Sequence, residues 1–271
     1  MVRIAKKFVF ILFFLILIIG CDKKSLNESS FEPIDNSEFI RRVSVVLSNA
    51  EIPLHISGNI LENMSKNNSF ILDLYRILQL DPYLYTLVDK NNYLDAEYEP
   101  QDLVDVTTGI EGITANRMLR REAYDSVMEI KNAARQAGLV LNVLSAYRSY
   151  FYQGRVYTNN VIMMGQEEAD RYSARPGSSQ HQLGLAVDFN SLENDFARTR
   201  EGMWLTSNAY RFGWSLSYPD SYEEITGYAW ESWHYRYVGR ELAQFINVYF
   251  YGVQQYALRF IHEWVIMDKW Q

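Results

Sequence analysis

Two stretches carry side chains whose types and spacing could do chemistry: Ser179-Gln180-His181-Gln182-Leu183-Gly184-Leu185-Ala186-Val187-Asp188 and Glu231-Ser232-Trp233-His234. His181, Asp188 and His234 offer two imidazole nitrogens and a carboxylate oxygen. Such a set binds one divalent ion and leaves the fourth position of a tetrahedral zinc open for water. Glu231, three residues before His234, could stand beside the same ion as an acid/base without ligating it. The bland alternative is that these histidines and the aspartate are ordinary hydrogen-bond partners. Two of the four histidines of the chain nevertheless fall in these two phrases.

The elements that must bring these groups together are legible in the same phrases. Leu183, Leu185 and Val187 alternate with Gly184, Ala186 and Asp188, a period of two that predicts a strand with one apolar face and one face of small residues. Asp188 shares the second face, and Gly184 and Ala186 are expected to leave room above it for a metal and a substrate backbone. His181 precedes the strand, on the loop after Pro176-Gly177-Ser178. Trp233 to Tyr237 is a second, aromatic-rich strand candidate on which His234 and Arg236 share a face.

The pattern S-x-H-x-x-G-x-A-x-D followed by E-x-W-H-x-R-Y closely resembles the VanY-type carboxypeptidases, zinc enzymes that trim the peptide stems of bacterial peptidoglycan. Upstream, Ser145-Ala146-Tyr147-Arg148-Ser149-Tyr150 with Gln153 is similar to a third motif of that family, and the likeness runs from about Leu87 to about Phe245. The resemblance implies one Zn²⁺ held by His181, Asp188 and His234, with Glu231 as acid/base. It also implies Arg148 as the arginine that meets the substrate and the transition state, and Gln153 and Ser179 as polar groups lining the substrate cleft. A guanidinium suits that task because it always carries charge and presents a planar fork of donors.

Outside these motifs the chain begins with a basic start (Arg3, Lys6, Lys7) and an unbroken apolar run from Phe8 to Ile19, which predicts a signal peptide over residues 1–20. Gly20-Cys21 looks like a lipobox, and Cys21 is the only cysteine in 271 residues, so lipidation of Cys21 is expected and no intrachain disulfide can form. Residues 21–36 are polar and read as a flexible tether. Residues 37–85 read as a helical extension: Phe39, Val43, Val46 and Leu47 recur at helical spacing, as do Ile71, Leu74, Tyr75 and Leu78, with a break from Asn49 to Gly58. A helix is predicted from Asn116 to Ala137 on the period of Leu119, Ala123, Val127, Ile130 and Ala134, then a core strand over Leu139 to Leu144, with Phe212 to Tyr218 as a further strand. Residues 86–245 are taken as the zinc domain and residues 246–271 as a helical tail packed on the N-terminal helices. His55 and His262 lie outside the motifs and read as surface or structural histidines.

A net charge of −7 argues against nucleic acid as a partner. The expectation is an α+β fold, a small antiparallel sheet flanked by helices with zinc on one sheet face and helical extensions at both ends. The expected protein is an exported, lipid-anchored monomer of the cell envelope that removes a terminal D-alanine from peptidoglycan stems. Two other readings use the same residues: an endopeptidase that cuts within the stem, and a non-catalytic zinc-binding cell-wall module. The presence of Glu231 speaks against the module.

Overall fold

The structure, a computed structural model, describes residues 36–106 and 117–269. The expected signal peptide, the tether and Cys21 lie outside the described residues. From Ile40 onward the described residues form one compact unit.

In chain order the helices are α1 (Asn36–Asn49), α2 (Leu54–Lys66), α3 (Ser69–Ile77), α4 (Pro82–Tyr85), α5 (Arg121–Gln136), α6 (Tyr150–Met164), α7 (Gln166–Tyr172), α8 (Arg200–Asn208), α9 (Glu223–Thr226), α10 (Arg240–Tyr249) and α11 (Gln254–Lys269). The strands are β1 (Leu103–Asp105), β2 (Met118–Arg120), β3 (Val143–Ser145), β4 (Ala186–Phe189), β5 (Trp214–Leu216) and β6 (His234–Tyr237). β1 and β2 form a two-stranded antiparallel ribbon, and the central sheet is four-stranded in the order β3-β4-β6-β5, antiparallel throughout. The fold is therefore the expected α+β arrangement of a small antiparallel sheet among helices.

Several element boundaries differ from the sequence reading: the expected strand over Phe212 to Tyr218 is reduced to β5 at Trp214–Leu216, and the expected break from Asn49 to Gly58 ends at Leu54, where Pro53 precedes the first turn of α2. Leu119 is in phase with Ala123, Val127 and Ile130, so the helical period extends back to it, yet Met118–Arg120 is strand β2. Arg120 holds that segment extended: its Nε donates to the Leu183 carbonyl and its Nη1 to Asp102. The expected strand from Leu183 is instead a 3-10 turn over Gln180–Leu183, with β4 starting at Ala186. The expected strand over Leu139 to Leu144 is reduced to β3 at Val143–Ser145.

The sheet has two unlike faces because side chains alternate along each strand. Val187, Phe189, Trp214, Tyr235 and Tyr237 belong to one buried cluster with Ala123, Val127 and Ile130 of α5. Trp214 Nε1 donates to Ser126 Oγ of that helix at 2.9 Å, which gives its buried indole a partner. The opposite face carries Ala186, Asp188, His234 and Arg236, with Ala186 paired to Arg236 and Asp188 to His234. Arg236 is fully buried, and its Nη2 donates to the carbonyls of Tyr83, Leu84 and Thr86 at 3.2, 3.1 and 2.9 Å. Helix α4 and the residue after it are thereby fastened to the sheet face that carries Asp188 and His234.

The remaining N-terminal helices pack on the C-terminal ones. Phe70 of α3 is fully buried and meets Phe245 and Tyr249 of α10 at ring distances of 5.2 and 5.0 Å, and Phe260 of α11 at 5.7 Å. Tyr249 donates to Asp73 at 3.0 Å, and Arg42 lies over the Trp264 ring at 4.0 Å. Phe70→Ala should cost about 3–5 kcal/mol, the usual penalty for emptying a buried phenylalanine site. It should lower the midpoint of a single thermal transition followed by calorimetry. Two transitions, with only one displaced by the substitution, would mean that the helical layer melts apart from the sheet.

Candidate metal centre and active-site cleft

His181, Asp188 and His234 come from three elements, and each is placed for a local reason. Ser179 Oγ accepts the His181 N–H at 3.3 Å and so caps the 3-10 turn that carries His181. Gly184 ends that turn with φ +70°, and a Cβ there would come within 2.9 Å of Leu103 Cδ2. Its small size thus serves a left-handed reversal pressed against the β1–β2 ribbon, whereas the sequence reading placed it beneath the metal. The chain then enters β4, where Asp188 lies directly across from His234 of β6.

The three donor sets converge. His181 Nε2 is 3.3 Å from Asp188 Oδ2, His234 Nδ1 is 3.1 Å from Asp188 Oδ1, and one ligand atom from each residue lies within 4.8 Å of the others. All three residues are buried. The remaining ring nitrogens fix the tautomers. His181 Nδ1 faces the Ala146 carbonyl at 2.6 Å, so its proton sits there and Nε2 keeps its lone pair. His234 Nε2 faces Gln180 Oε1 at 3.3 Å, which likewise leaves the Nδ1 lone pair on the Asp188 side.

Gln180 is itself held. Ser217 Oγ donates to its Oε1 at 2.7 Å, its Nε2 donates to Gln254 Oε1 at 3.2 Å, and Gln254 donates to the Ser215 carbonyl at 3.2 Å. Helix α11, the tail beyond the motif region, therefore takes part in orienting His234.

Electrostatics agree with a cation site. Burial, helped by the Arg148 charge, pushes His181 down to about 4, which keeps its ring neutral and able to ligate. Burial opposes ionisation of Asp188, but the pull of His181 and His234 outweighs it and holds the carboxyl well below its ordinary range. Asp188 Oδ1 is buried with no hydrogen-bond partner among the described residues. Arg148 Nη2 donates to His181 Nε2 and Asp188 Oδ2, but Asp188 Oδ1 and the His234 Nδ1 lone pair face each other at 3.1 Å with no donor between them. That is a poor arrangement by itself, and a divalent ion relieves it, so the residues present fit zinc.

Glu231 stands beside this centre because the segment from Glu231 to His234 is a tight turn in which the His234 N–H reaches the Glu231 carbonyl at 3.3 Å. Asn194 clamps the turn, accepting from the Ser232 N–H at 3.0 Å and donating to the Trp230 carbonyl at 2.9 Å. Glu231 Oε2 lies 3.5 Å from His234 Nδ1. Burial, followed by the Asp188 charge, holds the Glu231 carboxyl well above its ordinary range, while Arg148 opposes the shift.

Arg148 reaches the centre from the turn before α6. Its Nε donates to Ser145 Oγ at 3.1 Å, Nη1 to Gln153 Oε1 at 3.0 Å and Nη2 to Asp188 Oδ2 at 3.1 Å, with His181 Nε2 accepting at 2.7 Å. Gln153 is buried, and its Nε2 donates to the Ala174 carbonyl at 2.7 Å. It stands one step behind the cleft and holds Arg148, whereas Ser179 lies on the cleft wall itself. The cleft encloses about 790 Å³ and runs from the three ligand residues along Tyr152, Val156 and Asn160 of α6. Tyr218 covers one side, its ring 4.8 Å from that of His234.

The structure thus brings His181, Asp188, His234, Glu231, Arg148 and Ser179 to one cleft. His55 lies on α2 near the Tyr251 ring at 6.1 Å, and His262 lies on α11; neither joins the ligand group. Sequence reasoning missed Gln180, Ser217, Gln254 and Asn194. Only Gln180, inside the His181 phrase, carried any local signal.

Comparison with known proteins places this geometry. The profile of the VanY family, described as D-alanyl-D-alanine carboxypeptidase, matches residues 116–240. The putative carboxypeptidase YodJ of Bacillus subtilis (strain 168) is 37% identical over 195 residues, 69% of this chain and 71% of that protein. Among solved structures, the LdcB LD-carboxypeptidase is 37% identical with a TM-score of 0.57, covering 63% of this chain and 86% of that one. A variant of the vancomycin-resistance D,D-pentapeptidase VanY in complex with Zn(II) is 30% identical with a TM-score of 0.55, covering 65% and 98%. The identity to YodJ over more than two thirds of its length, together with the profile match across all three motifs, shows that the chain belongs to the VanY family of D-alanyl-D-alanine carboxypeptidases.

Proposed function

We propose that this protein is a zinc-dependent carboxypeptidase that removes a terminal D-alanine from peptidoglycan stem peptides. The observation that carries the reading is the convergence of His181 Nε2, Asp188 and His234 Nδ1 at the end of a cleft that also holds Glu231 and Arg148. When bound, zinc supplies a Lewis acid that lowers the pKa of water to about 7 and polarises a carbonyl.

The chain's own groups supply the rest. Glu231 receives the proton of the attacking water on its carboxylate and returns it to the leaving amine nitrogen, so one group serves as base and then as acid. Its buried position beside Asp188 raises its proton affinity, and a cation nearby draws it back toward the ionised form. Arg148, held by Ser145 and Gln153, offers N–H donors to the substrate's terminal carboxylate or to the oxyanion that forms at the carbonyl. Ser179 presents a hydroxyl on the same wall. We also take the chain as exported and anchored through Cys21, a reading supported by the apolar run before Cys21 and the lack of any other cysteine.

The roles of Glu231 and His234 separate cleanly in a test. His234→Ala should lose zinc and activity together, because the remaining ligands hold the ion poorly. Glu231→Gln keeps the side-chain size and removes the proton acceptor. Zinc by elemental analysis should stay near one per chain while D-alanine release falls by about 10²-fold or more. Loss of zinc in Glu231→Gln would make Glu231 a ligand, and full activity would place the proton acceptor elsewhere.

Amidating the C-terminus of the substrate peptide should sharply reduce turnover, since Arg148 then faces a neutral group. Equal cleavage of the amidated peptide, or products cut inside the stem by mass spectrometry, would favour an endopeptidase. For the anchor, Cys21→Ser should move the protein from the membrane fraction to the soluble one. Retention of that variant at the membrane, with no lipid label on the wild type, would contradict lipidation.

A further inference from the structure

A smaller cavity of about 250 Å³ opens beside the cleft and shares Ser173 and Tyr228 with its wall. Its other lining residues are Lys90, Asp170, Arg175 and Ser178. Arg175 is already committed: its Nε and Nη2 grip the two oxygens of Asp170 at 2.9 and 2.8 Å, and Tyr157 donates to the same carboxylate at 2.7 Å. That pair is neutral as a unit. Lys90, an exposed residue, is the cavity's remaining cation; it makes no ion pair among the described residues, although its charge acts at longer range on the Asp170 and Glu223 carboxylates.

The position of Lys90 is built. Asp89 Oδ1 accepts from the N–H groups of Asn91 and Asn92, both at 2.9 Å, and Oδ2 accepts from Gln255 of α11 at 2.8 Å, which fixes the turn carrying Lys90. The lysine stem crosses Gly227, where an added Cβ would stand 3.2 Å from Lys90 Cδ. The ammonium then lies 4.9 Å over the Tyr228 ring. Tyr228 is buried, and its hydroxyl has no hydrogen-bond partner among the described residues. Ser173 and Ser178 add two largely buried hydroxyls. An ammonium seated on the Tyr228 ring and two serine hydroxyls around one cavity form a donor set for an anionic oxygen group.

We infer that this cavity is a subsite for a second carboxylate of the substrate, with Lys90 as the residue that selects for it. The inference rests on the carboxypeptidase reading, because there the terminal carboxylate departs with D-alanine, whose side chain carries no acid. The second carboxylate therefore lies on the amino side of the scissile bond. Peptide stems carry such a group either as the α-carboxylate of a γ-linked glutamate or on the side chain of a diamino acid.

Three synthetic stem peptides, all with a free C-terminus, test this on the zinc-loaded full chain: one with both internal carboxylates free and one with each amidated. D-Alanine release gives kcat and KM for the wild type, Lys90→Ala and Lys90→Arg. For the wild type, one of the two amidations should raise KM about tenfold, the worth of a charge-assisted hydrogen bond, with kcat little changed. Lys90→Ala should show the same rise on the free acid and lose the discrimination, and Lys90→Arg should restore it. Which amidation matters identifies the source of the carboxylate. A wild-type KM indifferent to both amidations, or a Lys90→Ala loss equal on all three peptides, overturns the subsite. A wild type that releases D-alanine from none of them overturns the carboxypeptidase reading, and this inference with it.

Discussion

The pairing of Asp188 with His234 across β4 and β6 is the constraint on which the rest of the structure depends. Residues directly opposite in an antiparallel pair have Cβ atoms about 4.5–5.5 Å apart, close enough for both side chains to reach one ion. A slip of one residue would turn either side chain to the other face. The other face guards against that slip: Val187 pairs with Tyr235, and Trp214 with Tyr237, inside the cluster that packs on α5. Core packing on one side of the sheet thus sets ligand geometry on the other.

Holding a carboxylate and two imidazoles together inside the protein is costly, because buried acceptors without donors lose their hydration. The chain meets that cost with partners placed behind the ligands. Ala146 fixes His181; Gln180, Ser217 and Gln254 fix His234; Arg148 donates to Asp188 and is braced by Ser145 and Gln153. Several of these partners come from far along the chain. The C-terminal helix α11 supplies Gln254 to the centre and Gln255 to the Lys90 turn, so a segment outside the motifs contributes to the site's geometry.

What the sequence revealed follows from the range of the interactions involved. His181 with Asp188, and Glu231 with His234, were legible as local pairs: alternation places Asp188 on its face, and a four-residue turn places Glu231 beside His234; that the two phrases meet at one ion was implied by the resemblance to the VanY family and not by spacing. The same locality misled at Leu119, whose phase with Ala123 and Val127 reads as helix although Arg120 is pulled back toward Asp102 and Leu183. It misled again at Leu183, where alternation reads as strand but Gly184 closes a 3-10 turn. Gln180 to Gln254 and Asn194 to Ser232 are contacts between distant positions, and polar residues of these kinds carry no periodic mark that announces a partner. Gln153 was read as cleft lining because its motif places it near Arg148; in the structure its Oε1 accepts from Arg148 and its Nε2 donates to the Ala174 carbonyl, so its amide links that arginine to the segment before Ser179.

Anomalous diffraction at the zinc edge, from crystals of the zinc-loaded protein, tests the central claim most directly. The account predicts one peak at about 2.0–2.2 Å from His181 Nε2, His234 Nδ1 and an Asp188 oxygen. His234 Nε2 should remain on Gln180, and Glu231 should stand outside the coordination shell. A zinc ion bound through His234 Nε2, or one that takes the Glu231 carboxylate as a ligand, would contradict it.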